Sequence, residues 1–307
     1  MNNYQNEANL SSSVIDLNKL ITLIWNEKKT ILLSVSIFII LSIGFSLILP
    51  DKYRSQVLLT SATETNQQNS LSSFGSLAGL AGISMPNSSN NSAIGIEILK
   101  SRIFLKKFIV DNNVAIPLMA SKGWDHETKE LIYDSKIYDV NAKKWVNNKG
   151  LKEPTFQEIY EFWIEKILTI TEDKEDGFIR VEIEHYSPIQ AQIWLKDLID
   201  DLNDYMRNID VDQAERSIEY LRIEADKTAS GELKTVLYNL IQTNTEKKML
   251  AYSRKDYLFR VIDPPIIPEK KSSPNRAVIV FSGIIFGFVL GVLIVIFRNR
   301  SNIINNH

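Results

Sequence analysis

The chain has 307 residues, of which 44% are hydrophobic and 23% are charged, and its formal net charge is −2. This balance lacks the basic excess of a nucleic-acid-binding protein, and the absence of cysteine excludes disulfides, thiol nucleophiles and cysteine metal sites. The three histidines, His126, His185 and His307, show no ligand spacing, so we expect no catalytic residue, no metal and no cofactor.

The first 49 residues are predicted to form a surface helix and a membrane span. In the N-terminal segment, residues 1–30, apolar residues recur at helical spacing from Val14 to Trp25, which predicts an amphipathic helix on a membrane surface. Residues 31–49 carry no charge and would reach about 28 Å as a helix. This stretch is too long for the core of a signal peptide, so we predict transmembrane helix 1 at 31–49.

Residues 50–276 are predicted to form a domain of mixed helices and strands. A strand at 53–60 leaves the membrane, and the Ser-, Asn- and Gly-rich stretch 61–92 reads as a long loop. A helix capped by Asn91 or Ser92 would follow. Its apolar face would consist of Ile94, Ile98, Leu105, Phe108 and Ile109.

The middle of this domain is predicted to contribute a helix and a β-hairpin. Thr155 and Glu158 have the spacing of a capping box, which marks a helix start. The stretches 167–171 and 178–185 then form a hairpin, and the apolar–charged alternation of the second strand predicts one solvated face. Two further aromatic residues are predicted core positions: Trp124 and Trp145.

The longest periodic stretch predicts a helix at about 188–229. Ser187 and Pro188 are suited to its start, and Ser230-Gly231 to its end. A returning helix at about 231–253 would complete a long antiparallel hairpin that projects from the membrane. The long helix has an apolar seam at coiled-coil spacing, compatible with packing on its own domain or on a neighbouring subunit. The seam consists of Leu195, Leu198, Leu202, Tyr205 and Ile209.

A strand at 257–262 is predicted to return beside the strand at 53–60, because each of these strands is joined to a span. A proline-rich connector follows it. Proline fixes its own φ and removes a backbone donor, so the connector is predicted to be stiff and extended. Its prolines are Pro264, Pro265, Pro268 and Pro274.

Residues 277–297 carry no charge and are predicted to form transmembrane helix 2, followed by a tail at 298–307. Gly283, Gly287 and Gly291 repeat every four residues, which predicts a face that another helix could approach closely. The alternative is that glycine is simply frequent in membrane helices. Two spans place both termini on one side, but the flanking positive charges are equal on the two sides and do not fix the orientation.

Four stretches of the sequence resemble one family. They are IDLNKLITLIWNEKKTI before the first span, ILKSRIFLKKFI, EHYSPIQAQIWLKDLIDDLN at the start of the long helix, and VIDPPIIPEKKSSPNR before the second span. In this order and spacing, over about residues 14–297, the chain resembles the Wzz-type chain-length determinants, also called polysaccharide co-polymerases.

The resemblance implies an α+β fold in which two transmembrane helices flank a periplasmic domain. That domain would have a membrane-proximal α/β base and a long protruding helical hairpin. It also implies a bacterial inner-membrane location with both termini cytoplasmic, and a ring-like homo-oligomer that contacts membrane lipid. Its expected partners are a Wzy-type polymerase and a lipid-linked glycan such as the O antigen of lipopolysaccharide. We expect no kinase within this chain, because no Walker motif follows Phe297.

Three functions are compatible with the sequence. The first is a non-enzymatic regulator of polysaccharide chain length. The second is a capsule or exopolysaccharide assembly component that works with an outer-membrane channel. The third is a two-span periplasmic sensor, which the short segments outside the two spans disfavour.

Overall fold

The computed structural model describes Trp25 and residues 27–62, 88–146, 153–173 and 175–299. Residues 14–24 of the predicted amphipathic helix, most of the predicted 61–92 loop and residues 300–307 of the tail lie outside these ranges. The chain divides into two compact units, one of residues 1–49 and 274–307, and one of residues 50–273. Each unit is described separately.

The described residues form eight α-helices, one π-helix and nine β-strands. In chain order they are α1 (Lys28–Ile48), β1 (Lys52–Ser61), α2 (Ser88–Leu99), α3 (Arg102–Asp111), α4 (Ala115–Ala120), β2 (Ser121–Asp125), β3 (Glu130–Tyr133), β4 (Tyr138–Asp139), β5 (Lys144–Trp145), α5 (Phe156–Phe162), the π-helix (Trp163–Ile167), β6 (Leu168–Glu172), β7 (Ile179–His185), α6 (Pro188–Lys227), α7 (Gly231–Ser253), β8 (Phe259–Asp263), β9 (Lys271–Ser273) and α8 (Arg276–Arg298).

The first unit contains α1 and α8, both long and apolar enough to cross a membrane. α1 ends where Leu49 turns to an extended conformation before Pro50, whose ring disfavours helix at the preceding residue. α8 begins after Asn275, whose side chain accepts a hydrogen bond from the Val278 N–H at 3.4 Å. Their bounds differ from the predicted spans, 31–49 and 277–297, by at most three residues.

The second unit is built around an antiparallel sheet in the order β6–β7–β1–β8, with β9 also paired to β1. β1 is therefore central, and its Val57 lies opposite Val181 of β7. Inward-facing residues of β1 and β7 are buried, whereas Arg54 on the outer face pairs with Glu182 and Glu184 at 3.3 and 3.4 Å. The predicted solvated face and the predicted pairing of the first and last strands are both present.

Helices cover the inner face of this sheet and form one hydrophobic core. The first half of α6 crosses it, and α2, α3, α5 and the π-helix complete it. The largest fully buried side chains of this core are Trp163, Trp194, Phe104, Phe108 and Phe259. The predicted mixed helix-and-sheet fold is confirmed.

The predicted helix from residue 92 is wrong, because the structure has two helices here, α2 and α3, and α2 already begins at Ser88. Ser101 adopts an extended conformation between them, and its hydroxyl accepts the Phe104 N–H at 3.3 Å. A serine that caps a new helix competes with continuation of the old one. Leu105, Phe108 and Ile109 of the predicted apolar face are buried in α3, whereas Ile94 of α2 is exposed, and Ile96 and Leu99 are buried in its place.

Residues 121–145 form two small hairpins, β2–β3 and β4–β5, which the sequence analysis did not predict. In each turn an aspartate accepts two backbone N–H groups, as Asp125 does from Glu127 and Thr128 at 2.8 and 3.3 Å. A lysine with positive φ follows where glycine would be usual. Trp124 and Trp145 are half-buried within these hairpins, so their predicted place in the main core is wrong.

Helices α6 and α7 form the predicted antiparallel hairpin. α6 has 40 residues and would extend about 60 Å; the Ser187 hydroxyl accepts the Gln190 N–H at its start. It ends at Lys227, two residues before the predicted end. Ser230 then caps α7, and the ion pair of Lys248 with Glu215, 2.7 Å apart, links the two helices along their length.

Candidate functional site

The predicted glycine face of α8 lies against α1. A Cβ added at Gly287 would be 2.9 Å from both Cβ of Phe38 and Cα of Val35, closer than real Cβ atoms come. A Cβ at Gly291 would be 3.1 Å from Cα of Ile31. One at Gly283 would collide with the side chain of Ser42, lying 2.7 Å from its Cβ. All three predicted glycines therefore lie where the two helices approach most closely.

A hydrogen bond joins the same two helices. The Ser34 hydroxyl of α1 donates to the Gly287 carbonyl of α8 at 2.9 Å. The absence of a side chain at Gly287 allows this approach, since any larger residue would push the backbones apart. Small residues and interhelical hydrogen bonds are the features that hold helices together in lipid, where apolar burial provides no driving force.

The predicted seam of α6 divides into two parts. Leu195, Leu198 and Leu202 are fully buried in the core beneath the sheet. Tyr205 is half-buried, with its ring 5.5 Å from that of Phe104, and Ile209 is exposed. The first part of the seam thus packs within its own domain, and further along α6 the buried residues are Val211, Ala214 and Ala225.

The proline connector is hydrogen-bonded to β1 and to α6. The carbonyl of Pro265 accepts from Gln192 Nε2 at 3.3 Å, and the carbonyl of Ile266 accepts from the Ser55 hydroxyl at 2.8 Å. Residues 264–268 have no regular secondary structure, in agreement with the prediction for Pro264, Pro265 and Pro268. Pro274 follows β9 and precedes the Asn275 cap of α8.

β9 lies inside the stretch that the sequence analysis treated wholly as a connector. It pairs with the start of β1, and the Ser272 hydroxyl donates to Glu184 at 2.6 Å while Lys271 pairs with Asp51 at 3.2 Å. The residues that join the two units are therefore hydrogen-bonded to the sheet. The sequence analysis missed β9 because its three residues, Lys271–Ser273, are all polar and show no apolar alternation.

His185 lies buried where β7 meets the start of α6. Its Nδ1 accepts the Ser187 N–H at 3.2 Å, its Nε2 lies 3.1 Å from the Pro117 carbonyl, and its ring is 4.7 Å from that of Trp194. Burial lowers the pKa of His185 to about 4, and the positive charge of Lys52 acts in the same direction. The neutral ring thus satisfies two backbone groups, which is a structural role rather than a catalytic one.

Asn203 of α6 holds β8 in place. Its side-chain carbonyl accepts the N–H groups of Leu258 and Phe259 at 2.8 and 3.0 Å, and its amide donates to the Phe259 carbonyl at 3.1 Å. This one buried side chain thus bonds to three backbone groups at the start of β8, as a neighbouring strand would. Sequence reasoning missed it, because an asparagine in a helix has no pattern that reports such a distant contact.

One turn further along α6, Arg207 holds the end of α7. Its guanidinium donates to the carbonyls of Arg254 and Lys255 at 3.2 and 2.8 Å and pairs with Asp204. These residues line an open polar groove of about 490 Å³. Within the described ranges no group of three or more His, Asp or Glu residues could hold a metal ion.

The structure thus defines a class of protein: an α+β domain with a long helical hairpin, encoded between two helices of membrane-spanning character. Two stretches of the chain match known family models. Residues 13–112 match the model described as chain length determinant protein, Wzz, and residues 216–300 match GNVR, described as "G-rich domain on putative tyrosine kinase". Residues 13–112 therefore match a chain length determinant model, and the resemblance deduced from the sequence is confirmed over this part of the chain.

Solved structures with similarity to the chain include two polysaccharide co-polymerases. A full-length bacterial polysaccharide co-polymerase is 15% identical with a TM-score of 0.40, and the match covers 95% of this chain and 100% of that one. A fragment of WzzB, a polysaccharide co-polymerase from Salmonella Typhimurium, is 13% identical with a TM-score of 0.29, covering 73% of this chain and 100% of the fragment. No curated protein matches the sequence.

Proposed function

We propose that the chain is a non-enzymatic regulator of polysaccharide chain length. The observation that carries the proposal is the Wzz match over residues 13–112, which includes α1, β1 and the helices α2 and α3. A scaffold role is consistent with His185 and Asn203, two buried polar residues that bond to the backbone of the chain itself.

In this proposal the protein resides in a bacterial inner membrane, with α1 and α8 as spans, both termini in the cytoplasm and residues 50–276 in the periplasm. It forms a homo-oligomer beside a Wzy-type polymerase and sets the length of a lipid-linked glycan, the O antigen of lipopolysaccharide. The packing of Gly283, Gly287 and Gly291 against α1 supports a pair of spans that insert together.

The function is tested by deletion of the gene and separation of surface polysaccharides on a gel. The expected result is loss of the preferred O-antigen length, with restoration by the wild-type chain. An unchanged length distribution of every surface polysaccharide contradicts the proposal.

Orientation is tested on the same chain, which contains no cysteine. A Met249→Cys variant presents one exposed thiol on α7. The proposed topology requires that a membrane-impermeant maleimide labels it in cells with a permeabilised outer membrane and an intact inner membrane. Labelling only after lysis of the inner membrane contradicts the topology.

A second candidate function is capsule or exopolysaccharide assembly. It is favoured by the GNVR match at residues 216–300, since that model is described as a domain on a tyrosine kinase. The deletion strain distinguishes the two functions. Loss of capsule or exopolysaccharide with an unchanged lipopolysaccharide ladder favours the second candidate.

A further inference from the structure

The open polar groove beside Arg207 lies where the end of α7 returns to α6, and its volume is about 490 Å³. None of the described residues that line it is aliphatic. Protein partners and drug-like molecules are anchored in apolar and aromatic pockets, so this lining is suited to a more polar ligand. The lining of this α6–α7 groove includes Asp200, Asp204 and Arg207 of α6, and Tyr252, Arg254 and Lys255 at or just after the end of α7.

Two side chains of the groove are held in place before any ligand binds. Asn203, which also lines it, bonds to the backbone of β8 through its amide nitrogen and its carbonyl oxygen. The Arg207 guanidinium donates to the carbonyls of Arg254 and Lys255 at 3.2 and 2.8 Å. The Arg207 side chain is only 18% exposed, so packing holds it as well as these bonds. A ligand therefore meets a preformed surface and does not have to order it.

The two carboxylates of the groove each keep one oxygen for a ligand. Oδ2 of Asp200 accepts from Lys196 at 2.8 Å, and Oδ1 of Asp204 pairs with Arg207. The second oxygen of each makes no hydrogen bond within the described residues. Since Asp200 and Asp204 are four residues apart, they lie on one face of α6, one turn from each other. Both can accept hydrogen bonds from hydroxyl groups of the same ligand.

The residues at the end of α7 add donors to these acceptors. Arg254 and Lys255 form no ion pair with any residue in the described ranges, so their side chains can donate to a ligand. The Ser253 hydroxyl donates to the Leu250 carbonyl at 3.0 Å and can still accept. Donors and acceptors thus line one groove. A hydroxyl group requires both, because it donates one hydrogen bond and accepts others.

Tyr252 supplies the aromatic ring of the groove, and it is 63% exposed. A tyrosine ring has an apolar face and a polar tip. A sugar ring has a corresponding form, with an apolar C–H face and hydroxyl groups around its edge. One exposed ring among hydrogen-bonding groups therefore matches a saccharide.

The charges in and around the groove cancel. The cations are Lys196, Arg207, Arg254 and Lys255, and the carboxylates are Asp197, Asp200, Asp204 and Asp256. Asp201, the remaining acid on this stretch of α6, accepts a hydrogen bond from Asn112 of α3. A balanced set of charges does not attract a phosphate, a uronate or an amine in preference to a neutral molecule. The groove therefore favours an uncharged ligand.

We propose that the α6–α7 groove binds an uncharged segment of a saccharide. The Tyr252 ring packs against the face of one sugar, while Asp200 and Asp204 accept hydrogen bonds from its hydroxyl groups. The site rests on the proposed function in one respect, since the glycan whose length is regulated is the saccharide it would bind. Because the groove is open, a long glycan can cross it with only a short segment bound.

The test measures binding to the purified full chain by ligand-observed NMR. The chain is held in lipid nanodiscs, because detergents with maltoside head groups would themselves offer sugar. The probe is the glycan that mild acid releases from the surface polysaccharide of the strain that encodes the chain. Tyr252→Ala is expected to weaken binding about tenfold by loss of the ring contact.

The matched control is Tyr238→Ala, which removes another exposed tyrosine of α7 that does not line the groove. It should change the affinity less than about twofold. No binding at about 10 mM glycan, or an equal loss in both variants, overturns the proposal.

Asp200→Asn tests the acceptors separately. The Asp200 side chain is 52% exposed, so the substitution leaves the fold intact, but it replaces a charged acceptor with a weaker one. Binding is expected to weaken about fivefold. Asp226→Asn changes an exposed aspartate near the far end of α6 and should leave binding unchanged. An affinity of Asp200→Asn equal to that of this control overturns the assigned role of the carboxylate.

Salt tests the uncharged character of the ligand. The affinity of the wild type should change less than about twofold when sodium chloride is raised from about 0.05 M to about 0.5 M, because screening acts only between charges. A fall of about tenfold over this range overturns the choice of an uncharged saccharide.

Binding and the proposed function can fail separately. The polysaccharide ladder is compared between the deletion strain, the wild type and the Tyr252→Ala strain. A ladder that depends on the gene, together with a purified chain that binds no glycan, overturns this site alone. Specific binding by a chain whose deletion leaves every polysaccharide length unchanged overturns the proposed function alone.

Discussion

Helices α1 and α8 and helices α6 and α7 each form an antiparallel pair, yet different kinds of residue hold the two pairs together. α1 and α8 meet at glycine and serine, with Gly287 against Val35 and Ser34 bonded across the contact. The outer parts of α6 and α7 meet through mostly small or polar positions, with leucine and valine facing outward on α7.

The difference follows from the surroundings that each pair is suited to. In lipid, outward leucines and phenylalanines are already in an apolar solvent, so close backbone contact and hydrogen bonds decide the pairing. In water, outward leucines are unfavourable unless another surface covers them. Exposed apolar residues are therefore favourable on α8 if it lies in lipid and less favourable on α7 if it lies in water.

The substitution with the largest expected effect on stability lies at the contact between α1 and α8, where no space is left for a side chain. Gly287→Leu would force a side chain into Phe38 and the backbone of Val35, at a cost of about 3 kcal/mol from overpacking. We expect a lower midpoint of thermal unfolding in detergent and a broadened distribution of polysaccharide lengths.

Gly44→Leu is the matched control, because nothing lies within 4 Å of a Cβ at Gly44 of α1. It adds the same side chain to a membrane helix without a contact. Equal unfolding midpoints for the two variants would show that close approach at Gly287 does not hold the pair.

The stability of the packing around His185, at the start of α6, is expected to depend on pH. That of the glycine contact is not. Burial holds the pKa of His185 near 4, below its ordinary value of 6.5, so the folded chain keeps this ring neutral. The unfolded chain takes up a proton as pH falls from about 6.5 to 4. The contribution of the neutral His185 ring to the stability of the folded chain is thus complete above pH 6.5. It is lost as pH falls towards 4, by on the order of 3 kcal/mol.

The measurement is the free energy of urea unfolding for the wild type and His185→Gln between pH 4 and 7. Glutamine retains a donor for the Pro117 carbonyl but does not titrate. The difference between the two proteins should shrink as pH falls, since both share the titration of the carboxylates. A constant difference across this range contradicts the assigned role of the ring.

Local patterns were sufficient to predict much of the fold. Uncharged runs, the capping box at Thr155 and the Ser187-Pro188 start each act within one turn of chain, and the elements formed where they indicated. The break at Ser101 was missed because the apolar spacing continues through it. Residues 121–145 were missed because a lysine holds the positive-φ position that glycine usually reveals.

Less of the candidate site could be predicted from the sequence. The spacing of Gly283, Gly287 and Gly291 predicted a contact face but could not say which helix occupies it. The contacts of Asn203 and Arg207 join residues about fifty positions apart, and no local rule reports such a distance. On α7, Leu233, Leu237 and Leu240 share an apolar pattern, but burial separates Leu237 from the other two.

Removal of the Asn203 clamp is expected to loosen α6 from the strand that leads towards α8. Asn203→Ala leaves the N–H groups of Leu258 and Phe259 without their acceptor in a buried place. We expect a loss of about 2 to 3 kcal/mol in the free energy of unfolding. Asn244→Ala on α7, whose amide bonds within its own helix, is the control and should change it far less.

The smallest effect compares a buried and an exposed leucine of α7. Leu237 is 9% exposed against α6, and Leu237→Ala should cost about 2 kcal/mol in the unfolding of dispersed single copies. Leu240→Ala should cost less than about 0.5 kcal/mol, because Leu240 is 45% exposed. An equal cost of both substitutions would contradict the difference in burial between these two leucines.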